Sequence, residues 1–176
     1  MKSSQIDNLL GALVLAIHDK MTSDFGKLGL RTVTDTATLI LLLQLEHTSI
    51  SKLADLLELS HSSTVRVADR LEKRQLVSRL RQDDDARSVR LSLTEKGNAL
   101  AMAALGARQR SLRSLLSALS ADELRRFGEL LTKVLVKATT GRKAADRLCR
   151  LCDETVCTRK SCPVEQRALQ LSETSA

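Results

Sequence analysis

The sequence predicts a mainly helical fold carrying one small antiparallel hairpin, and three observations predict it. Apolar residues recur at helical spacing over most of the chain. Two short helical segments, residues 51–57 and one opening at Ser60, are separated only by the turn Glu58-Leu59, the arrangement of a helix-turn-helix. Residues 77–93 then alternate apolar and polar around a polar tip, as a half-buried hairpin does.

Each element follows from a local pattern. Ile6, Leu10, Leu13, Val14, Ile17 and Met21 form a helical stripe that ends near Phe25-Gly26, and it suits packing within the monomer or against a helix of a second chain equally well. After a linker at 27–33, Thr34 or Asp35 is placed to cap a helix whose segment 38–45 is apolar on nearly every side, so this helix should be central to the core. Thr94 is placed to cap a helix running to about Ala118, and Ser120-Ala121-Asp122-Glu123 spells a capping box opening another. That last helix is expected to turn Leu124, Phe127, Leu131, Val134 and Leu135 inward. Residues 141–147 then lead to a cysteine-rich tail, and 166–176 reads as frayed. We divide the chain at residue 140, with a helical domain before it and the tail, 141–176, after it.

Composition limits the partners. The chain has 176 residues and 43% apolar content, enough for one sizeable core. A net charge of +7 favours an acidic partner, and with Phe25 and Phe127 as the only aromatic residues a stacking platform for single-stranded bases is hard to build. Duplex DNA is the better match. The apolar run 9–17 is flanked by Asp7 and His18-Asp19-Lys20, lacks a cleavage site, and falls short of the ~20 residues that span a bilayer. The expected compartment is the cytoplasm, with no membrane partner.

On the second helix of the helix-turn-helix, Thr64, Val67, Ala68 and Leu71 fall at i, i+3, i+4 and i+7, which defines a buried side. Ser62, Ser63, Arg66, Arg70 and Lys73 are left for DNA, with small hydroxyl residues at the helix start, where a recognition helix approaches base edges. The hairpin tip, 82–88, carries Arg87 two residues after Asp85; the carboxylate is placed to orient the guanidinium toward a minor groove, whose negative potential attracts an inserted Arg. The run Asp83-Asp84-Asp85 reads as a turn, because three consecutive carboxylates do not converge on one cation. None of His18, His47 and His61 looks catalytic, and we expect no enzyme.

These elements resemble the MarR family of bacterial winged helix-turn-helix regulators. The resemblance is carried by Ser51-x-Leu53-Ala54 through Leu59, by Ser62-Ser63-Thr64-Val65-Arg66-Val67-Ala68-Asp69-Arg70-Leu71-Glu72-Lys73-Arg74-Gln75-Leu76-Val77, and by Asp85-Ala86-Arg87-Ser88 with Leu93-Thr94-Glu95-Lys96-Gly97. It covers about residues 5–140. It implies a triangular homodimer, joined by N- and C-terminal dimerisation helices, that binds a pseudo-palindromic duplex; the family holds repressors and activators, and a repressor is the expectation here. Ser62, Ser63, Thr64 and Arg66 would then face the major groove, and Arg87, supported by Asp85, the minor groove. A pocket between the dimer helices and the DNA-binding lobe would admit a small phenolic or aromatic effector. Gln75 departs from the glycine usual after the recognition helix.

All four cysteines of the chain fall in Cys149-x2-Cys152-x4-Cys157-x4-Cys162-Pro163, outside the core of the resemblance. Four thiolates make a complete ligand set for Zn(II) or for an iron–sulfur cluster. Only the first pair has zinc-knuckle spacing, and the compact run ending in Cys-Pro tips the preference to iron–sulfur. A disulfide redox switch and inert thiols are the alternatives. Arg147, Arg150, Arg159 and Lys160 flank the cysteines and are expected to favour thiolates. The functional expectation is a DNA-binding repressor modulated at this metal or redox site. The competing readings are a small-molecule-responsive repressor with only structural zinc, a redox or electron-transfer protein, and an interaction module that keeps a winged helix.

Overall fold

The computed structural model describes residues 3–82, 85–158 and 160–174, with side chains omitted over 81–88. Asp83, Asp84 and Arg159 therefore lie outside the described residues. The described elements are α1 (Ser3–Lys27), α2 (Val33–Gln44), β1 (Thr48–Ser49), α3 (Ile50–Leu57), α4 (His61–Lys73), β2 (Val77–Gln82), β3 (Asp85–Leu93), α5 (Glu95–Leu116), α6 (Ala121–Ala138), α7 (Arg142–Cys149) and α8 (Pro163–Glu173). The strands form one antiparallel sheet in the order β1-β3-β2, with Thr48 opposite Leu91 and Val77 opposite Leu93.

The core is built around α2, as its all-round apolar character anticipates. Leu39 and Ile40 are fully buried and meet Leu53 of α3, Leu71 of α4 and Leu91 of β3 in one cluster. Ala101, Ala104 and Ala107 give α5 a small-residue face that belongs to the same cluster. Burying these five leucine and isoleucine side chains contributes roughly 1.5–3 kcal/mol each. The helix-turn-helix is thus anchored from behind.

Local chemistry sets the helix starts. Ser49, Ser60, Thr94 and Ser120 accept backbone N–H bonds at the starts of α3, α4, α5 and α6, and Ser120 with Glu123 completes the capping box. At α2 the cap is Thr32, whose Oγ1 accepts from the Asp35 backbone N–H at 3.0 Å, and not Thr34 or Asp35. Asp35 sits inside the first turn and its carboxylate is committed elsewhere. Gln75 adopts a left-handed φ of 59° after α4, the conformation glycine occupies at no steric cost. Gly97 is required for contact: a Cβ there would stand 1.8 Å from the Leu76 carbonyl oxygen, so α5 can start against the end of this turn only with glycine.

Two expectations need correction. The apolar side of α6 is not inward, since α6 buries no residue and Leu124, Leu130, Leu131 and Val134 are all 40–58% exposed. Leu135, at the C-terminal end of α6, is half-buried against α8, and the rest of that face stays open. The segment after Gln166 is not frayed through its length, because α8 continues to Glu173 with Val164 and Ala168 buried against Ala145 and half-buried Leu135. Pro163 at its first turn supplies the helical φ without wasting an N–H. Of the described helices, none is long and apolar enough to cross a membrane.

Candidate nucleic-acid interface and cysteine cluster

Helix α4 divides as its periodicity requires. Thr64, Val67, Ala68 and Leu71 are buried, and Ser62, Arg66 and Lys73 are exposed. Ser60 organises the helix start: its Oγ accepts from the Ser63 N–H at 3.2 Å, donates to Ser63 Oγ at 2.9 Å and lies 3.1 Å from Ser62 Oγ. Hydroxyls and free helix N–H groups therefore gather at one tip, which suits the polar edge of a base or a phosphate. Arg66 reaches back to the Ser62 carbonyl with Nε at 3.4 Å, a weak contact that leaves its guanidinium ends available. Lys73 has no ion-pair partner among the described residues.

Two residues assigned to the DNA-facing set are placed otherwise. Thr64 is 1% exposed and its hydroxyl donates to the Ser60 carbonyl at 3.1 Å, so it belongs to the packing of the helix. Arg70 forks onto Asp35, with Nε 3.1 Å and Nη2 2.5 Å from Oδ1. Asp35 is itself 1% exposed, so the pair fixes α4 to the start of α2, and the hydrogen bond to Asp35 makes the guanidinium hold its proton more firmly still. Sequence spacing had no means of revealing a pair 35 residues apart.

A second unforeseen clamp joins the hairpin to α4. Arg79 of β2 bonds Glu72 at 2.8 Å and also pairs with Asp69. One guanidinium across two carboxylates thus adds to the packing of β2 on α4. The backbones of Asp85 and Arg87 lie in β3, with Asp85 paired to Gln82, while their side chains lie outside the described residues.

The cysteines are distributed along the second lobe. Cys149 closes α7, Cys152 follows it, Cys157 is exposed and Cys162 is buried at the start of α8; all are free thiols. All four line one cavity of about 400 Å³, together with Gln44 of α2 and Lys52 and Leu56 of α3. Cys149 and Cys152 share a hydrogen bond that pushes the Cys149 thiol up and brings Cys152 down to about 6, with Arg108 of α5 adding attraction at Cys152. Burial raises Cys157. Two of the four expected cations are engaged otherwise: Arg147 bonds Glu58 at 2.9 Å, and Arg150 donates to the Arg147 carbonyl. Among the described residues no set of three or more His, Cys, Asp or Glu side chains is gathered to the spacing of a single ion's ligands. The donor set is chemically right for a soft metal, and its sulfurs would have to draw together to hold one ion.

A separate cavity of about 590 Å³ opens between α2, α5 and the loop at 153–155, lined by Leu43, Met102 and Leu105. Its size and apolar walls suit a small organic molecule.

With this geometry in place, comparison with known proteins locates the match. Residues 32–89 match the MarR family model. The MarR-matching segment spans α2 to β3, the helices and hairpin just described. Among solved structures, the chain is similar to the YusO protein of Bacillus subtilis, with 28% identity over 74% of this chain and 92% of that chain at a TM-score of 0.69. It is similar to a MarR family protein of Mycobacterium tuberculosis solved in complex with p-aminosalicylic acid, with 25% identity over 76% and 98% of the two chains at a TM-score of 0.56. It also shares its fold with a MepR mutant of S. aureus bound to an oligodeoxyribonucleotide, with 22% identity over 78% and 98% at a TM-score of 0.58. No curated protein sequence matches the chain.

Proposed function

We propose that this chain is a MarR-type transcriptional regulator, a homodimer that binds a pseudo-palindromic duplex operator and represses from it, with affinity modulated at the C-terminal cysteines. The observation that carries the DNA-binding part is α4: a helix anchored on four buried residues, presenting Ser62, Ser63, Arg66 and Lys73 outward beside an antiparallel wing. The match at 32–89 covers the same elements, and the S. aureus relative of the same fold was solved on an oligodeoxyribonucleotide. DNA contacts are therefore assigned to Ser62, Ser63, Arg66 and Lys73 on α4 and to Arg87, with Asp85 in support, on the wing.

Dimerisation is supported by the apolar faces that the monomer leaves open. Ile6, Leu10 and Val14 of α1 and Leu131 and Val134 of α6 are 40–57% exposed. Continuous apolar stripes of this kind on terminal helices are what a two-fold interface buries. The test is operator binding by Arg66→Ala and Arg87→Ala proteins, using a duplex enriched from a random pool. Loss of about 1–3 kcal/mol with the dimer intact supports the assignment. Unchanged affinity in both overturns it.

At the cysteines the reading is a metal site, with an iron–sulfur cluster preferred to Zn(II), or a thiol redox switch. The support is the convergence of four thiols on one cavity that also touches α2 and α3. Visible absorption of protein purified without oxygen decides between them: broad bands that bleach in air assign a cluster, and a colourless, zinc-free protein leaves thiol chemistry. A small organic effector in the cavity lined by Leu43, Met102 and Leu105 is a second reading, favoured by the p-aminosalicylic acid complex of the M. tuberculosis relative.

A further inference from the structure

The tail does more than sit beside the DNA-binding lobe. Helix α7 packs on α3, the first helix of the helix-turn-helix. Arg147 of α7 forks onto Glu58, with Nη1 3.2 and 2.9 Å from the two carboxylate oxygens, and Glu58 is the left-handed residue (φ 52°) that forms the turn between α3 and α4. A third contact comes from the other side. Gln44, the last residue of α2, donates its Nε2–H to the backbone carbonyl of Cys152 at 2.6 Å. The peptide between the first two cysteines' helix and the third cysteine is thus tied to the helix that forms the floor of the DNA-binding lobe.

We infer that the cysteine cluster is a soft-metal site wired in cis to the helix-turn-helix, through Gln44 at Cys152 and Arg147 at Glu58, so that its occupancy sets the position of α4 within the same protomer. This inference rests on the cysteine reading above and adds its route. Drawing four thiolates onto one metal closes short chelate loops between the cysteines and so constrains the backbone that carries the Cys152 carbonyl. A displacement there is delivered to the end of α2 through a partly buried hydrogen bond, and to the turn before α4 through Arg147. The exposed ion pair alone contributes little, whereas the α3–α7 packing and the partly buried Gln44 contact act together with it.

Because the route lies within one protomer, it makes a prediction of its own. Anaerobic, fully reduced protein titrated with Co(II) should develop thiolate-to-metal charge-transfer and visible ligand-field bands at one ion per chain, and the same addition should change affinity for the enriched duplex by roughly 5- to 150-fold. In a Gln44→Leu, Arg147→Gln protein the Co(II) spectrum and stoichiometry should persist while the affinity change falls below about twofold, that is, below ~0.4 kcal/mol of coupling. A Glu58→Arg, Arg147→Glu exchange in an otherwise natural chain should retain most of the response. Circular dichroism of each variant, matched to the natural protein, guards against a folding defect. A full response in Gln44→Leu, Arg147→Gln overturns the route and leaves the metal site standing. Absence of Co(II) bands in the natural protein overturns the metal site and the route together, with duplex binding unaffected as a reading.

Discussion

Helices α4 and α6 have the same kind of sequence and opposite fates. Both are strongly amphipathic, both begin with a serine cap, and both carry a stripe at i, i+3, i+4 and i+7 that is apolar throughout in α6 and apolar but for Thr64 in α4. In α4 that stripe is sealed against α2 and the sheet, with Leu71 fully buried. In α6 the equivalent stripe faces out, with Val134 56% exposed. The difference teaches that periodicity specifies a face and leaves open what covers it. For α4 the cover is the rest of the chain, and for α6 it is assigned to a second copy.

The largest effect should come from breaking the uncovered face. Leu131→Asp with Val134→Asp places four carboxylates in a two-fold interface, and unpaired buried charge costs several kcal/mol, so the dimer should weaken on the order of a thousandfold or more. Sedimentation should then find monomers with unchanged helical content. A stable dimer would show that α6 is not at the interface.

Next in size is the covered face. Leu71→Ala should cost about 2–5 kcal/mol of unfolding free energy through the cavity it leaves. The matching change on α6, Leu130→Ala, should stay within ~0.5 kcal/mol when measured on the monomeric Asp variant, as for other surface positions. Equal costs in denaturant titrations would erase the contrast between the helices.

Asp35→Asn probes how α4 is held rather than what it touches. Removing one partner of a buried pair costs roughly 3–5 kcal/mol, and because the Arg70 side chain is 45% exposed the loss should lie at or below the lower end of that range. The smallest expected effect is a gain. Gln75→Gly relieves a left-handed residue and should stabilise by up to ~1 kcal/mol, with duplex affinity unchanged.

What was legible in the sequence follows from range. Contacts within a turn of helix were readable: the caps at Ser60, Thr94 and Ser120, the buried stripe of α4 and the existence of the hairpin all depend on neighbours a few residues away. Thr32 was passed over because Asp35 looked like a cap, when its carboxylate was needed by Arg70. Pairs distant in sequence were invisible, among them Asp35 with Arg70, Arg79 with Asp69 and Glu72, Glu58 with Arg147, and Arg108 with Cys152. Helix α8 was missed because its mostly polar residues supply a reason to fold only once Ala145 and Leu135 are beside Val164 and Ala168.

In the proposed dimer two α4 helices, joined through exposed faces of α1 and α6, read one duplex together. Hydroxyl-radical footprinting of the natural protein on its enriched duplex tests it most directly. Two protected patches related by a two-fold axis, with their centres about one helical turn or ~34 Å apart, are the predicted result. A single patch with no symmetry partner, from protein that sediments as a monomer at the same concentration, would contradict it.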